Sequence, residues 1–454
     1  MKRKLKALIK FDFFEIMKKH YIIILLFALP YCLFAQDVFD LKRCIEIGLD
    51  RNYEIRITRN DERISDNNLT IGNAGYLPYL NLNSGYSGTV NNTEQRLTSG
   101  DINKNNGVHN QALNAGINLD WTVFDGFNIQ ANYGRLKELQ QIGDLNTRLA
   151  IENFVMNISN EYYNYIQQKI RLNNLRYAVK LSRERLRIVE ARYSIGAGSR
   201  LELQQAKVDF NADSSMLIKQ NEVIFTSLVQ INQLMAMDDV EQPLSITDSI
   251  IDFNPFLNKD DIWRNLQGSN VFLQLYKRDK NISVLDLKAI QSQYFPYVKV
   301  NAGYGVTQNM YEVGSFDRQK NLGFNYGVTV GFNIFDGFNR ERKRKNAVIE
   351  VQNKELEYQQ VELSLRTDLS KMWMAYQNNM ELTNLEKENL QTAQDNYTIA
   401  LERYKLGDLS GIELREAQNS LLEAEDRLIL AQYNTKLCEI SLIQLSGKML
   451  SYIY

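Results

Sequence analysis

The chain has 454 residues with 53 Lys or Arg and 54 Asp or Glu, which gives a formal net charge of −1 at pH 7. Its two histidines and three cysteines are too few for a histidine-based triad, a Cys/His dyad or a conventional zinc site. Past the N-terminus, the one short basic tract is RERKRK at residues 340–345, which disfavours nucleic-acid binding. The composition therefore predicts no enzyme, no cofactor or metal site and no nucleic-acid partner.

The N-terminal residues 1–35 have the pattern of a secretory signal peptide. After Met17 and two lysines comes an apolar run of about 15 residues that ends near Ala35, shorter than the roughly 20 residues of a membrane-spanning helix. Removing it leaves 46 basic and 52 acidic residues (53 − 7 and 54 − 2), a net charge of −6. We predict cleavage near Ala35 rather than acylation at Cys32, and the start at Met1 or Met17 stays open.

The remaining chain contains one unit written twice. YLPYLNLNSGY in the first half returns as YFPYVKVNAGY in the second, and FDGFN occurs in both. The matching segments are 76–86 and 294–304, 124–128 and 335–339, and 192–206 and 403–417. This duplication predicts a first repeat at residues 36–235 and a second at 263–454, joined by a linker at 236–262.

Each repeat begins with short helices and then changes to a two-residue period after Pro78 or Pro296. The predicted strands are 78–90, 111–124, 296–308 and 322–335, with loops at 91–110 and 309–321. One face of each strand is apolar and the other is rich in Asn, Gly and Thr, as in strands between lipid and a water-filled lumen. Four strands cannot close a membrane barrel, so strands that span a membrane require several chains.

Long helices follow the strands in both repeats. The second is predicted from about 338 to 406, and about 69 residues span roughly 100 Å. Apolar residues step by three and four, from Leu172 to Tyr193 and from Leu414 to Ala431, which favours antiparallel coiled coils. Glycines at the turns suit a helix C-terminus. A coiled coil that acts only as a spacer is the alternative interpretation.

This order of elements, duplicated, resembles the TolC family of outer-membrane efflux proteins. The resemblance covers essentially all of residues 39–450. It rests on Leu77-Pro78 and Phe295-Pro296, on VFDG at 123–126 and IFDG at 334–337, and on RYxxG at 192–196 and 403–407.

The resemblance implies a mixed α and β membrane protein that forms a homotrimer. Three chains would pool their strands into a 12-stranded β-barrel in the outer membrane, continued by a periplasmic α-helical barrel. The linker at 236–262 would form an equatorial belt. The implied function is the outer-membrane channel of a tripartite efflux or secretion system, with a periplasmic adaptor and an inner-membrane pump as partners and no catalysis.

The resemblance also implies two roles for the helix tips. The residues expected to dock the adaptor are Arg192, Tyr193, Gly196, Arg403, Tyr404 and Gly407. Those expected to close the resting tube through charge pairs and hydrogen bonds are Arg200, Glu202, Asp408, Glu413 and Arg415. For these charges, a solvated helix end is the alternative interpretation.

Other interpretations stay open at this stage. A periplasmic coiled-coil adaptor or scaffold, not itself a pore, is the alternative function, and a passive porin is disfavoured because it needs many more strands. Cys44 and Cys438 would be able to pair in an oxidising compartment, although isolated thiols on helices are favoured. The sequence names neither the transported substrate nor the energy source of the pump.

Overall fold

The computed structural model describes residues 39–246, 248–314 and 316–452. The predicted leader at 1–35, with Cys32 and Met17, lies outside the described residues. The chain is a mixed α/β protein with long helices and a small sheet. The helices are α1 (Leu41–Arg51), α2 (Tyr53–Asn68), α3 (Ile71–Ala74), α4 (Asn128–Ser194), α5 (Arg200–Leu234), α6 (Lys259–Ser269), α7 (Val271–Gln291), α8 (Asn339–Leu406) and α9 (Gly411–Leu445). The strands are β1 (Tyr79–Arg96), β2 (Ile102–Phe124), β3 (Tyr297–Tyr311) and β4 (Arg318–Gly331).

The four strands form one antiparallel sheet in the order β1-β2-β3-β4, so β2 and β3 join the two repeats. The first hairpin is longer than predicted, because most of the polar stretch at 91–110 is paired strand rather than loop. The loop predicted at 309–321 is likewise shortened. Backbone pairing does not need apolar side chains where both faces meet water, which is why the polar composition misled the prediction. β4 ends at Gly331, before the predicted limit of 335.

The duplicated FDGFN motif starts the two long helices. Asp125 Oδ1 accepts the backbone N–H of Ile129 at 3.1 Å, and Asp336 Oδ2 accepts that of Arg340 at 2.8 Å. Each carboxylate thereby satisfies a free N–H at a helix N-terminus, where negative charge is favourable. No proline follows until Pro243 in the first repeat or the chain end in the second, so both helices run unbroken.

The long helices fold back as two hairpins. α5 returns along α4, α9 returns along α8, and α9 also packs on α4. α7 lies against both α4 and α8, and α2 lies against α4. None of the helices in the described part of the chain has the length and apolar character that crossing a membrane requires.

The main core lies halfway along the helices, where the inter-repeat linker packs. Leu244, Ile246 and Ile251 of the linker are buried with Phe154 and Tyr162 of α4. Backbone and side-chain bonds fix the same segment, among them a 2.7 Å bond from Lys169 Nζ to the Ile246 carbonyl oxygen, a 2.7 Å bond from the Tyr162 hydroxyl to Asp248 and one from Tyr376 to the Asn254 carbonyl oxygen. The linker therefore holds α4 and α8 at mid-length.

In each repeat, an asparagine near the start bonds to the end of the last helix of the same repeat. Asn52 caps α2 and donates through Nδ2 to the carbonyl oxygen of Leu234, at the end of α5, over 3.0 Å. Asn270 caps α7 and donates in the same way to Leu445, at the end of α9, over 3.0 Å. These bonds bring the start and the end of each repeat together.

The two cysteines in the described residues are free and buried, Cys44 on α1 and Cys438 on α9. Burial raises the pKa of the Cys44 thiol to about 12 and raises that of Cys438. The structure thus holds two isolated protonated thiols rather than a disulfide.

Candidate functional site

One face of the sheet is apolar across all four strands. Leu82 lies opposite Ile117, Ile117 opposite Tyr304, and Tyr304 opposite Phe324. These four side chains are between 49% and 77% exposed. A continuous exposed apolar surface of this kind marks contact with lipid or with another protein.

The other face is lined by amides and glycines. Along the neighbouring row, Asn81 lies opposite Asn118, Asn118 opposite Gly303, and Gly303 opposite Asn325. A Cβ on Gly303 would lie only 2.6 and 2.5 Å from the amide oxygens of Asn118 and Asn325. The amide side chains therefore lie over the glycine backbone and leave a flat, polar surface along this row, suited to water.

The sheet has two open edges. In the described chain, β1 pairs only with β2 and β4 pairs only with β3. Each outer edge carries unpaired backbone N–H and C=O groups, which lipid cannot satisfy. A sheet with this apolar face therefore needs further strands to be stable in a membrane.

The first helix tip, between α4 and α5, is a tight turn closed by backbone bonds. Gly196 has a φ of 75°, and the N–H of Ala197 donates to the carbonyl oxygen of Arg192 over 2.9 Å. Ser199 then caps α5 in a reciprocal box with Glu202, whose N–H reaches Ser199 Oγ at 3.1 Å. Glycine provides the left-handed residue at this C-terminus, and the box fixes the start of the returning helix.

The second tip, between α8 and α9, repeats this design. Gly407 has a φ of 88°, and Asp408 N–H donates to the Arg403 carbonyl oxygen over 3.0 Å. Ser410 and Glu413 form the capping box. Hydrogen bonds from Ser410 hold the pKa of the Glu413 carboxyl below its usual range. The Arg403 guanidinium also contacts the Asp408 carboxylate at 3.0 Å, within the same turn.

The two tips touch through Arg192 and Tyr404. Arg192 Nη2 donates to the carbonyl oxygen of Tyr404 at 3.2 Å, and the guanidinium carbon lies 5.0 Å from the centre of the Tyr404 ring. Tyr404 is only 3% exposed, and burial raises the pKa of its phenol. Of the residues predicted to dock an adaptor, Tyr404 thus lies inside the protomer, whereas Tyr193 is exposed.

The residues predicted for the gate are not brought together within one chain. Glu202 and Glu413 serve as helix caps. Asp408 bonds to Arg403. Arg200 is exposed at the start of α5, and Arg415 points to a residue that the sequence did not suggest.

The partner of Arg415 is Asp213 on α5. Arg415 Nη1 and Nη2 donate to Asp213 Oδ2 and Oδ1 at 2.8 and 2.7 Å, so the pair is bidentate and joins α5 of the first hairpin to α9 of the second. The Asp213 side chain is 2% exposed, and its carboxylate raises the pKa of Arg415. One helical turn away, Arg185 of α4 binds the buried Asp209 of α5.

Sequence reasoning missed these pairs because they are not duplicated. The positions that match Arg185, Asp209 and Asp213 in the second repeat are Asn396, Ser420 and Ala424. The available signal was two aspartates four residues apart on the inner face of α5, which require buried cations.

The tips also expose apolar side chains at duplicated positions. Ile195 directly follows α4 and Leu406 is the last residue of α8, and Leu201 and Ile412 are the second residues of α5 and α9. All four are between 76% and 84% exposed. Because each matches its partner in the other repeat, the apolar end is a feature of both hairpins and a suitable surface for contact with another chain.

The family profile "Outer membrane efflux protein" matches residues 45–236 and 286–448. The chain therefore belongs to the outer membrane efflux protein family, which confirms the predicted resemblance. It is an outer-membrane channel of the efflux type, located in the outer membrane with a large periplasmic helical part. The family is one of transport proteins rather than enzymes.

Several relatives support this assignment. Outer membrane efflux protein BepC from Brucella suis biovar 1 (strain 1330) is 19% identical over 88% of this chain and 83% of BepC. The fold matches the outer membrane protein VceC of Vibrio cholerae with a TM-score of 0.73 at 17% identity, covering 90% of this chain and 96% of VceC. It matches the Campylobacter jejuni CmeC outer membrane channel with a TM-score of 0.75 at 15% identity, covering 90% and 85%.

Proposed function

We propose that three copies of this chain pool their strands into one closed 12-stranded barrel, through which exported molecules leave the cell. The observation that carries the proposal is the sheet with two open edges and an exposed apolar face. In lipid the backbone groups of β1 and β4 must be paired, and pairing β4 of one copy with β1 of the next satisfies them all. The apolar face then meets lipid, and the amide face lines the lumen.

Exposed apolar rows on the helices support the same assembly. On α8, Ile349, Leu356 and Leu363 follow each other at intervals of seven residues and are 54% to 66% exposed. On α5, Leu201 and Val208 have the same spacing and are also exposed. A seven-residue apolar row is typical of a helix that packs along another helix. Neighbouring protomers supply those helices in the proposed α-helical barrel, with residues 236–262 as its belt.

Members of this family form trimers and work with a periplasmic adaptor and an inner-membrane pump, and we assign the same partners to this chain. The proposed adaptor surface is the pair of helix tips with Arg192, Tyr193, Gly196, Arg403 and Gly407, and the buried Tyr404 supports Arg192 from beneath. The proposed gate comprises Arg200, Glu202, Asp408, Glu413 and Arg415. The exposed apolar side chains around both turns support a docking role. The comparisons favour the channel over a periplasmic adaptor or scaffold.

Cross-linking between strand edges tests the assembly. Ser87→Cys on β1 is combined with single cysteines along the polar face of β4, beginning with Asn321→Cys, in a chain whose Cys44 and Cys438 are replaced by Ala. We expect at least one combination to give a covalent trimer on a denaturing gel, because the two edges lie side by side between copies. Each single cysteine is the control. A protein that stays monomeric in detergent by native mass spectrometry, with no cross-linked pair, contradicts the proposal.

Docking at the tips is tested by Gly196→Trp combined with Gly407→Trp. Both glycines have open space where a Cβ would lie, so the bulky side chain projects outward from the tip. We expect export of a fluorescent dye by cells that carry a cognate adaptor and pump to fall, while trimer formation is retained. Unchanged export contradicts the docking assignment.

A further inference from the structure

A cleft lies where the sheet meets the long helix of the second repeat. Its wall includes Thr122 at the end of β2, Lys299 on β3, and Lys343 on the first turns of α8. Phe295 and Asn333, which flank β3 and β4, complete that side. The cleft therefore occupies the junction between the proposed barrel and the helical tube below it.

The cleft opens on the amide face of the sheet. Thr122 and Lys299 are cross-strand partners, and the adjacent pair, Trp121 and Val300, belongs to the apolar face. Because successive side chains of a strand point to opposite faces, Lys299 lies on the face that the proposed barrel turns toward its lumen.

The charges of the cleft have an excess of cations. It is lined by Lys299, Arg340 and Lys343 against Asp125 and Asp336. Both carboxylates are engaged, since each caps a long helix and Asp336 also pairs with Arg340 at 3.3 Å. Within the described residues, neither Lys299 nor Lys343 has a carboxylate oxygen within 4.0 Å.

The first repeat has no equivalent of these cations. The positions that match Lys299 and Lys343 are Asn81 and Asn132, and the position that matches Arg340 is Ile129. The FDGFN motif between these positions is the same in both repeats. At these matching positions, positive charge therefore comes from the second repeat alone.

We propose that Lys299 and Lys343 form a cationic site on the lumen wall that attracts small anions and solutes carrying carboxylate, phosphate or sulfonate groups. The inference rests on the proposed trimeric channel and adds a charge preference to it. The rest of the strand surface that faces the lumen is largely amide and glycine, with Asp120 opposite Asn301 as an exposed carboxylate, so the two lysines outnumber the acidic group on that face. Charges of one sign on the wall of a narrow passage raise the local concentration of the opposite ion.

The test is the reversal potential of the full trimeric channel in planar bilayers across a KCl gradient. At a mean of about 0.1 M salt the Debye length is about 10 Å, so wall charges are felt across much of the passage. We expect Lys299→Gln combined with Lys343→Gln to lower the permeability ratio of chloride to potassium by about twofold. The difference should shrink near 1 M salt, where the screening length is about 3 Å.

Two variants control the experiment. Lys259→Gln, in the first turn of α6 and away from the sheet, should leave the ratio unchanged. Asn81→Lys, which adds a cation at the matching position on the same face, should raise it. A conducting channel whose ratio is the same in the wild type and the double variant overturns the cationic site alone. A wild-type protein that forms no conducting channel overturns the proposed pore as well.

Discussion

The long helices of the two repeats have nearly the same length but very different surroundings. α4 has 67 residues and α8 has 68, yet 20 residues of α4 are buried against 8 of α8. α4 is packed by α2, α5, α7 and α9, whereas α8 is packed mainly by α7 and α9. Two copies of one sequence pattern thus occupy a central and a peripheral position.

This difference shows that duplication sets the elements, whereas the packing between the copies decides which of them is buried. α9 lies against both α4 and α8, but α5 packs mainly on α4. α8 is left with an exposed apolar row that the single protomer does not cover. In the proposed trimer, the neighbouring protomer covers it.

The largest expected effect comes from adding charge to that row. Leu356→Glu combined with Leu363→Glu on α8 should abolish trimer formation and conductance, because it buries carboxylates between protomers. Native mass spectrometry and bilayer recordings measure both. Lys371→Glu, an exposed polar position on the same helix, is the control. A double variant that remains trimeric would show that this row of α8 does not lie at the interface between protomers.

Next in size is the ion pair that joins the two hairpins. Asp213→Ala leaves Arg415, whose side chain is only 17% exposed, without its partner and should lower stability by about 3 kcal/mol. Asp408→Ala, which removes an exposed pair between the tip turn and Arg403 at the end of α8, should cost less than about 1 kcal/mol. Thermal denaturation of the detergent-solubilised protein compares them. Equal losses would contradict the difference in burial.

A pH effect is expected at Glu425 on α9, the helix of the second hairpin that also packs on α4. Burial, followed by the neighbouring Asp426, raises the pKa of Glu425 from 4.5 to about 7, and its Oε2 is buried without a hydrogen-bond partner among the described residues. The pKa of Glu425 is higher in the folded chain than in the unfolded one. The contribution of the protonated carboxyl to the free energy of unfolding is therefore complete below about pH 4.5 and is lost as the pH rises through about 7.

Glu425→Gln should therefore raise the melting temperature at pH 8, by an amount equivalent to about 1 kcal/mol because the carboxyl keeps some contact with solvent, and should have little effect at pH 5. The matching residue of the first repeat is Ser214, so Ser214→Ala is the control and should show no such pH dependence. A gain that is the same at both pH values would contradict the shifted pKa.

The smallest effect is expected at the glycines of the two tips. Gly196→Ala and Gly407→Ala place a side chain at a positive φ with open space around it, so only backbone strain of about 1 kcal/mol results. Similar small losses in thermal stability are expected for both, because the two tips share one design despite the unequal burial of α4 and α8. A loss of thermal stability several times larger at one tip would show that the two tips are not equivalent.

Much of the architecture followed from the sequence. Proline positions, the two-residue period after Pro78 and Pro296, and the duplicated motifs indicated the paired strands and the long helices. FDGFN was recognised as a repeat, and the structure shows its chemistry, since each Asp caps a helix. Periodicity and duplication are local signals, and they report well on local structure.

What escaped prediction depends on contacts between distant parts of the chain. The extent of the first hairpin was missed because polar side chains hide strands that are paired in water. The partner of Arg415 was missed because Asp213 lies 202 residues away and has no counterpart in the second repeat. The unequal burial of α4 and α8 was also missed, since it depends on how the copies pack on each other.

The asparagine bonds at the repeat ends have a consequence for how such a chain arises. Asn52 and Asn270 each place the beginning of a half beside its own finish. A unit whose termini meet can be copied in tandem with a short linker, because the linker does not have to span the length of the long helices. Phe39 and Met449 are buried in the same core cluster, so residue 263 is a workable new start for a circularly permuted chain in which 452 is joined to 39.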